Sequence, residues 1–352
     1  MINQRRFEEI LSKFDQVKIA VLGDFFLDLY LHMDRSSSEF SLETHKEAFQ
    51  VVEFRGQAGA AGVAVNNLAA LGAHTTAIGF TGKDGNGFTL RQALKSVHAN
   101  TDRLIESGKR FTPTYIKPMM REVDGSQIEL NRMDIINRSL NPHALNDQLV
   151  THLQEALETH DGILVIEQVK MDGYGTMSPI LRAALADLSQ KHPEKIVIVD
   201  SRHFAANYQA LSLKLNLNEA LNALKKLNLK TEELDLGEPL SAASIAAKAF
   251  WKTHQKPVFI TLGEKGIAGA SEGTVFHIPG YRTQGRIDIV GAGDSVLAGI
   301  GLTLCAGGTV QEAAYIGNLV GSITIQQIGT TGKATQHDLR QRHKEYQRQR
   351  TG

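Results

Sequence analysis

Apolar runs of strand length alternate with segments of helical period along almost the whole chain. Val17–Gly23 (VKIAVLG) is β-branched, continuously apolar and closed by glycine, which predicts a buried strand. Residues 64–72 (AVNNLAALG) predict a helix with its glycine stop, and 75–80 (TTAIGF) predict the next strand. Three further apolar strands are predicted at 161–168, 195–200 and 256–263, separated by helical segments. Strands alternating with helices predict an α/β fold with a mostly parallel sheet covered on both faces. Ligands then bind beyond the carboxyl ends of the strands.

Residues 30–56 and 112–134 break this rhythm. Both predict extended, partly exposed antiparallel strands, with a turn signal at Asp124-Gly125. Two readings fit them: a small sheet closing as a lid over a cleft, or a pair of ordinary surface hairpins. Arg340–Gly352 is polar and arginine-rich, and reads as a frayed helix end. The whole chain, 1–352, is expected to form one domain.

Composition narrows the function classes. The 352 residues are 42% hydrophobic and 22% charged, ordinary for a globular protein with a sizeable core. Lys plus Arg and Asp plus Glu both number 38, which gives no sign of a nucleic-acid or membrane-surface partner. No stretch reaches the roughly 18 apolar residues of a membrane span. The start, MINQRRFEEILSKF, has helical spacing and lacks a signal peptide's apolar core. Cys305 is the single cysteine, which excludes an intrachain disulfide and a cysteine-based zinc site. A cytoplasmic, reducing setting is the expectation.

The densest chemical signal is Asp288-Ile-Val-Gly291-Ala292-Gly293-Asp294-Ser295, followed by the apolar run 296–305. A Gly-Ala-Gly turn opening a helix leaves backbone N–H groups free at its positive end, an anion site suited to a transferring phosphate. Asp294, in the first turn, could accept the proton of an attacking hydroxyl. The alternative is a capping aspartate on a tight turn. Thr261-Leu-Gly263-Glu-Lys-Gly266 directly follows a strand, as a glycine turn against a nucleotide or as a simple hairpin. Asn216 and Glu219, three apart, sit on one face of a first helical turn. They could organise hydrated Mg²⁺ or merely cap the helix.

In this order the motifs resemble the ribokinase-like, phosphofructokinase-B type sugar kinases, from about residue 17 to residue 338. The resemblance implies a three-layer α/β sandwich with a small β-strand lid, ATP and Mg²⁺ as cofactors, and Asp294 as catalytic base. It implies an anion hole from the amides of Gly291, Ala292 and Gly293. Thr261, Gly263, Gly266 and Asn318 would receive ATP, with Asn216 and Glu219 organising Mg²⁺ and phosphates largely through water. It also carries a monovalent-cation site near Asp288 and the 325–332 loop, and a homodimer through the lid strands.

Within the family the nearest look is the heptose 7-phosphate kinase group. The signs are Gly23-Asp24-x-x-Leu27-Asp28, Pro113-Thr114-x-x-Lys117, Arg132-x-Asp134 and Ile328-Gly329-Thr330. Asp28, at the end of the first strand, would bind sugar hydroxyls, and Lys117, Arg132 or Arg121 an acceptor phosphate. The nucleotidyltransferase domain fused to many of those enzymes has no counterpart in these residues. The first signature also departs: an ungapped reading sets Gly59 and Ala60 at its two glycines and Val63 at its asparagine, a shifted one sets Gly62 there, and in either the asparagine is absent. An acceptor hydroxyl losing that amide would forfeit roughly 1–3 kcal/mol. The lead expectation is phosphoryl transfer from Mg·ATP to a sugar or sugar phosphate. The competing one is a non-catalytic sugar or nucleotide binder on the same scaffold. A nicotinamide-dependent dehydrogenase fits poorly, because Gly23-Asp24-Phe25-Phe26 is no Gly-x-Gly-x-x-Gly turn.

Overall fold

The computed structural model describes residues 2–229 and 238–351. In chain order the strands begin with β1 (Lys18–Gly23), β2 (Phe25–Asp34), β3 (Glu39–Phe40), β4 (Glu47–Ala48), β5 (Val51–Ala60) and β6 (His74–Gly82). They continue with β7 (Leu104–Ser107), β8 (Thr114–Arg121), β9 (Gln127–Glu129), β10 (Met133–Ile135) and β11 (Gly162–Glu167). The last are β12 (Ile196–Ser201), β13 (Ser212–Asn216), β14 (Val258–Thr261), β15 (Ile267–Ser271) and β16 (Thr274–Ile278).

Among the described residues the large sheet runs β16-β15-β14-β13-β12-β11-β1-β6-β7. Pairing is parallel from β14 through to β7, and antiparallel only where β15 and β16 close the edge. Helices α1 (Gln4–Leu11), α2 (Ala61–Ala70) and α3 (Gly85–Ser96) pack into the core on one face. Helices α4 (His143–Thr159), α5 (Pro179–Lys191), α6 (Leu217–Lys226) and α7 (Pro239–His254) fill the other. Helices α8 (Ala292–Cys305), α9 (Val310–Thr324) and α10 (Gln336–Thr351) complete the first face. Burial on both faces explains why the central strands read as continuous apolar runs.

Helix α8 is the element that positions the site. Leu297, Ala298, Ile300 and Leu302 are fully buried between sheet and α9. A Cβ on Gly301 would come within 2.4 Å of Leu164 of β11, and one on Gly299 within 3.1 Å of Gly317 of α9. Glycines at these two positions let the helix sit close to both neighbours, which fixes where its N-terminus emerges.

The two segments that broke the sequence rhythm form a second sheet, β10-β8-β2-β5 with β9 on β8. Two expectations are corrected. The strands start at Phe25 and run to Ala60, wider than 30–56, and β2 pairs β8 in parallel rather than antiparallel. The Asp124-Gly125 turn is where expected: Gly125, at φ +82°, links β8 to β9. The tail is not frayed either. In α10, His343 stacks on Phe7 at 4.1 Å and accepts or donates at 2.7 Å with Tyr315, and Tyr346 is buried. Its arginines hid this docking: Arg340 and Arg342 pair with Glu8 and Glu345 at its flanks.

Candidate active site

The parallel strands end around a cavity of about 790 Å³. It is lined by Gly291, Ala292, Gly293 and Asp294 of the α8 turn, Thr261, Gly263 and Gly266 of the β14–β15 corner, Asn216, Glu219 and Asn318. All the residues expected on the nucleotide and catalytic side thus share one space. Asp28, Gly59, Lys117 and Arg132 do not line it; they form a separate group on the small sheet.

Gly291, the N-cap of α8, adopts φ +75°, a conformation that favours glycine. The Ala292 N–H turns back to the Ile289 carbonyl at 3.1 Å, so this amide closes the turn rather than facing the cavity. The amides left for an anion are those of Gly291, Gly293 and Asp294. Asp294 lies in the first turn, 7% exposed, with the Gln168 amide 3.4 Å from both carboxylate oxygens. Burial, then the charge of Asp200, lifts its carboxyl to about 7 against the pull of Lys214 and Arg202. A carboxylate poised near neutrality in a cleft is suited to accept a proton.

Lys214 of β13 is the cation that the sequence reading passed over. Its ammonium donates to Asp200 at 2.5 Å, deep at the strand ends. Burial alone would pull its proton affinity down, but Asp200 and Glu219 outweigh that and raise it. The capping alternative for Asn216 and Glu219 is present in full. Asn216 accepts from the Glu219 N–H at 2.9 Å, and Glu219 accepts from the Asn216 N–H at 2.8 Å. Glu219 is held above the usual carboxylate range by burial and then by Asp200.

Three carboxylates, Asp200, Glu219 and Asp294, therefore face two cations, the buried Lys214 ammonium and Arg202. That excess of negative charge fits a hydrated divalent cation. Among the described residues no three His, Cys, Asp or Glu side chains converge to ligate an ion directly, so the fit is to a metal held through water. A monovalent-cation site is expected beside Asp288, whose carboxylate bridges two loops. The two carboxylate oxygens accept from the Val290 and Gly329 N–H groups at 3.0 and 3.1 Å, tying the α8 turn to the 325–332 loop.

On the nucleotide wall, Gly266 takes φ +90°, and a Cβ there would meet the Ile278 carbonyl at 2.1 Å. Only glycine fits that corner. Thr261 bonds the Leu215 carbonyl at 3.3 Å, and the Asn318 amide holds the Ile278 and Pro279 carbonyls at 3.0 and 3.3 Å. Asn318 thus shapes the wall through backbone.

On the small sheet, Asp28 sits mid-strand in β2 between Gln57 and Tyr115, not at the end of the first strand as expected. The chain leaves β1 at Gly23, and Asp24 anchors the turn by accepting from the N–H groups of Gln168, Val169 and Thr176. Lys117 lies 3.3 Å from Asp28 and 3.2 Å from the Tyr30 hydroxyl. A Cβ on Gly59 would come within 2.8 Å of the Asp28 carboxylate, so glycine leaves that carboxylate its room. Burial raises the Asp28 carboxyl despite Lys117. Arg132 stacks on Tyr115 at 4.1 Å and is bidentate with Asp134 at 2.7 and 2.8 Å. Arg121 is exposed and paired with Asp34.

The departed first signature opens α2. Ala60 takes φ +51° and ψ −120°, a glycine conformation forced on an alanine. Val63, buried, packs against Gly291, with its Cγ1 3.0 Å from a Cβ built there. The fully buried Asn67 bonds Ser295 of α8 at 3.0 Å and the Gly332 carbonyl at 3.1 Å. Asn67 was visible only as a polar residue within an apolar helix.

This architecture is that of the ribokinase-like α/β fold. Phosphofructokinase-2 from Escherichia coli, solved with potassium, superposes with a TM-score of 0.68 over 94% of this chain and 99% of its own, at 17% identity. Ribokinase from Cryptococcus neoformans var. grubii, solved with ADP, gives 0.64 over 93% and 99%, at 18% identity. Residues 16–337 match the sequence pattern of the pfkB family carbohydrate kinases, and the chain belongs to that family. It is also similar to proteins named "Bifunctional protein HldE". That of Citrifermentans bemidjiense is 26% identical over 95% of this chain and 65% of its own length. That of Caulobacter vibrioides is 29% identical over 89% and 60%. The chain spans less than two thirds of the length of these curated relatives.

Proposed function

We propose that this chain, as a single kinase domain, transfers a phosphoryl group from Mg·ATP to a hydroxyl of a sugar or sugar phosphate. The observation that carries the reading is Asp294. It is a buried carboxylate lifted to about 7, in the first turn of a helix whose free amides open onto a nucleotide-sized cavity. Asp294 takes the acceptor proton, and the amides of Gly291 and Gly293 stabilise charge on the transferring group. The Thr261–Gly266 corner and Asn318 shape the wall against which ATP lies. Glu219, its turn set by Asn216, holds Mg²⁺ through water. The metal supplies charge neutralisation on the phosphates.

Asp28 orients the acceptor, with Gly59 leaving it room. Lys117 and Arg132 are the cations beside it, and the resemblance to the heptose 7-phosphate kinases favours an acceptor that already carries phosphate. The reading also includes a homodimer. Among the described residues strand β5 is an open edge of the small sheet, and Val51, Val52 and Phe54 on it are exposed. A second copy pairing there would cover them; a monomer in sedimentation equilibrium at micromolar concentration removes that element.

The test is Mg·ATP-dependent phosphorylation across a panel of sugars and sugar phosphates, heptose 7-phosphate included, followed by product mass. Turnover on one member supports the kinase and names its acceptor. ATP binding by calorimetry without turnover on any member favours the non-catalytic binder instead.

A further inference from the structure

The Gly-Ala-Gly turn uses its two glycines for different purposes. Gly291 needs φ +75°, whereas Gly293 has an ordinary helical backbone. What a side chain at 293 would meet is the Lys214 ammonium, 2.9 Å from a Cβ built there. The missing Cβ makes room for that ammonium at the mouth of the free amides. On its other side the ammonium is fixed by Asp200, with the two side chains 4% and 9% exposed.

The charged groups acting most on Asp294 belong to this cluster. Asp200 and Arg202 come from the end of β12, Lys214 from β13 and Glu219 from α6; the neutral Gln168 comes from the end of β11. A buried ammonium deprived of Asp200 would pair with the next carboxylate within reach. After Asp200, the carboxylates acting on Lys214 are Glu219 and then Asp294, and Asp294 directly follows the Gly293 beneath which the ammonium already lies. Captured by Lys214, the base would be a weaker proton acceptor and would lose its orientation.

We propose that Asp200 is a positioning residue of the phosphoryl-transfer site, holding the Lys214 ammonium beneath Gly293 and off Asp294. This rests on the kinase reading above and deepens it. Lys214 stays turned toward the anion site, and Asp294 stays free for the acceptor hydroxyl.

The test compares Asp200→Asn, Lys214→Met and the double variant in the full chain. For Asp200→Asn, kcat is expected to fall about tenfold or more, while KM for ATP moves less than about threefold. The pH midpoint of kcat should move below that of wild type, because the base loses a negative neighbour and gains a positive one. Adding Asp200→Asn to Lys214→Met should cost less than about twofold more, since one residue acts through the other. A merely structural residue would lower the melting temperature and leave the pH midpoint where it was. Additive effects with an unmoved midpoint overturn the proposal.

Carboxyl ¹³C titration of Asp294 in Asp200→Asn gives a readout free of turnover. A drop in midpoint that is larger with Lys214 present than in the Lys214→Met background supports the proposal, and an equal drop in both, the direct loss of the Asp200 charge, overturns it, even where no acceptor is phosphorylated. Absent turnover in wild type would count against the kinase reading alone. If Asp200→Asn does not fold, Asp200→Ser takes its place in the same comparison, with the same two outcomes.

Discussion

The cavity at the strand ends and the small sheet that carries Asp28 solve the problem of buried charge in different ways. At the cavity, Lys214 and Arg202 face three carboxylates, and burial, then the charge of Asp200, lifts Asp294 and Glu219. On the small sheet the charges are matched pairwise: Lys117 with Asp28, Arg132 with Asp134, Arg121 with Asp34. A site with surplus charge is poised for a cation and a proton transfer. Under the proposed function the matched site recognises the acceptor, which must exchange partners with residues already satisfied. The backbone follows the same division. The cavity is built on a rigid parallel sheet and a doubly buried helix, whereas the small sheet is attached through turns at Gly23-Asp24 and Ala60.

The comparison is broken most severely at the base. Asp294→Asn should lower kcat by about 10²–10⁴-fold while Mg·ATP affinity by calorimetry stays close to wild type. Retained turnover would remove Asp294 from the base role. The same carboxylate predicts the pH profile: with its proton held up to about 7, kcat should rise with pH through that region and level off above it. For stability the sign is opposite. A carboxyl raised by folding stabilises the native state below its unfolded value near 3.8, and that contribution is lost as pH rises through about 7. Asp294→Asn should therefore raise the melting temperature more at pH 8 than at pH 4.

Next in size, Asp28→Ala should raise KM for the acceptor by about 10–100-fold, the range of a charge-assisted hydrogen bond, with KM for ATP unchanged. Equal weakening of both would place the acceptor elsewhere. The smallest effect belongs to Ala60→Gly. Relief of the φ +51° alanine should stabilise the fold by about 1 kcal/mol, read as a rise in the urea midpoint at constant slope. A loss of stability would mean that the alanine methyl packs more favourably than its backbone is strained.

Much of this was legible in the chain. The core strands announced themselves because burial on both faces demands unbroken apolar runs, and β1, β6, β11, β12 and β14 lie where those runs are. The Gly-Ala-Gly-Asp turn was legible because a helix start with a required positive φ leaves a local mark at Gly291. The tail misled because the polar majority of α10 drowned out the three buried positions, Leu339, His343 and Tyr346, that dock it.

The sequence by itself determined the α/β class, the parallel sheet, the glycine turn that opens α8 and the family, since each is written in local spacing or in motifs at fixed intervals. The tertiary structure alone decided which charges meet. Asp200, Lys214, Glu219 and Asp294 come from four separate elements, and their proximity follows from strand order and register, to which no local pattern is sensitive. It likewise decided that β2 pairs with β8 in parallel, that Asn67 reaches Ser295, and that Gly293 serves a lysine on another strand. The physical reason is the same in each case: the energy of a buried charge or a missing methyl depends on its neighbours in space, which chain position does not encode.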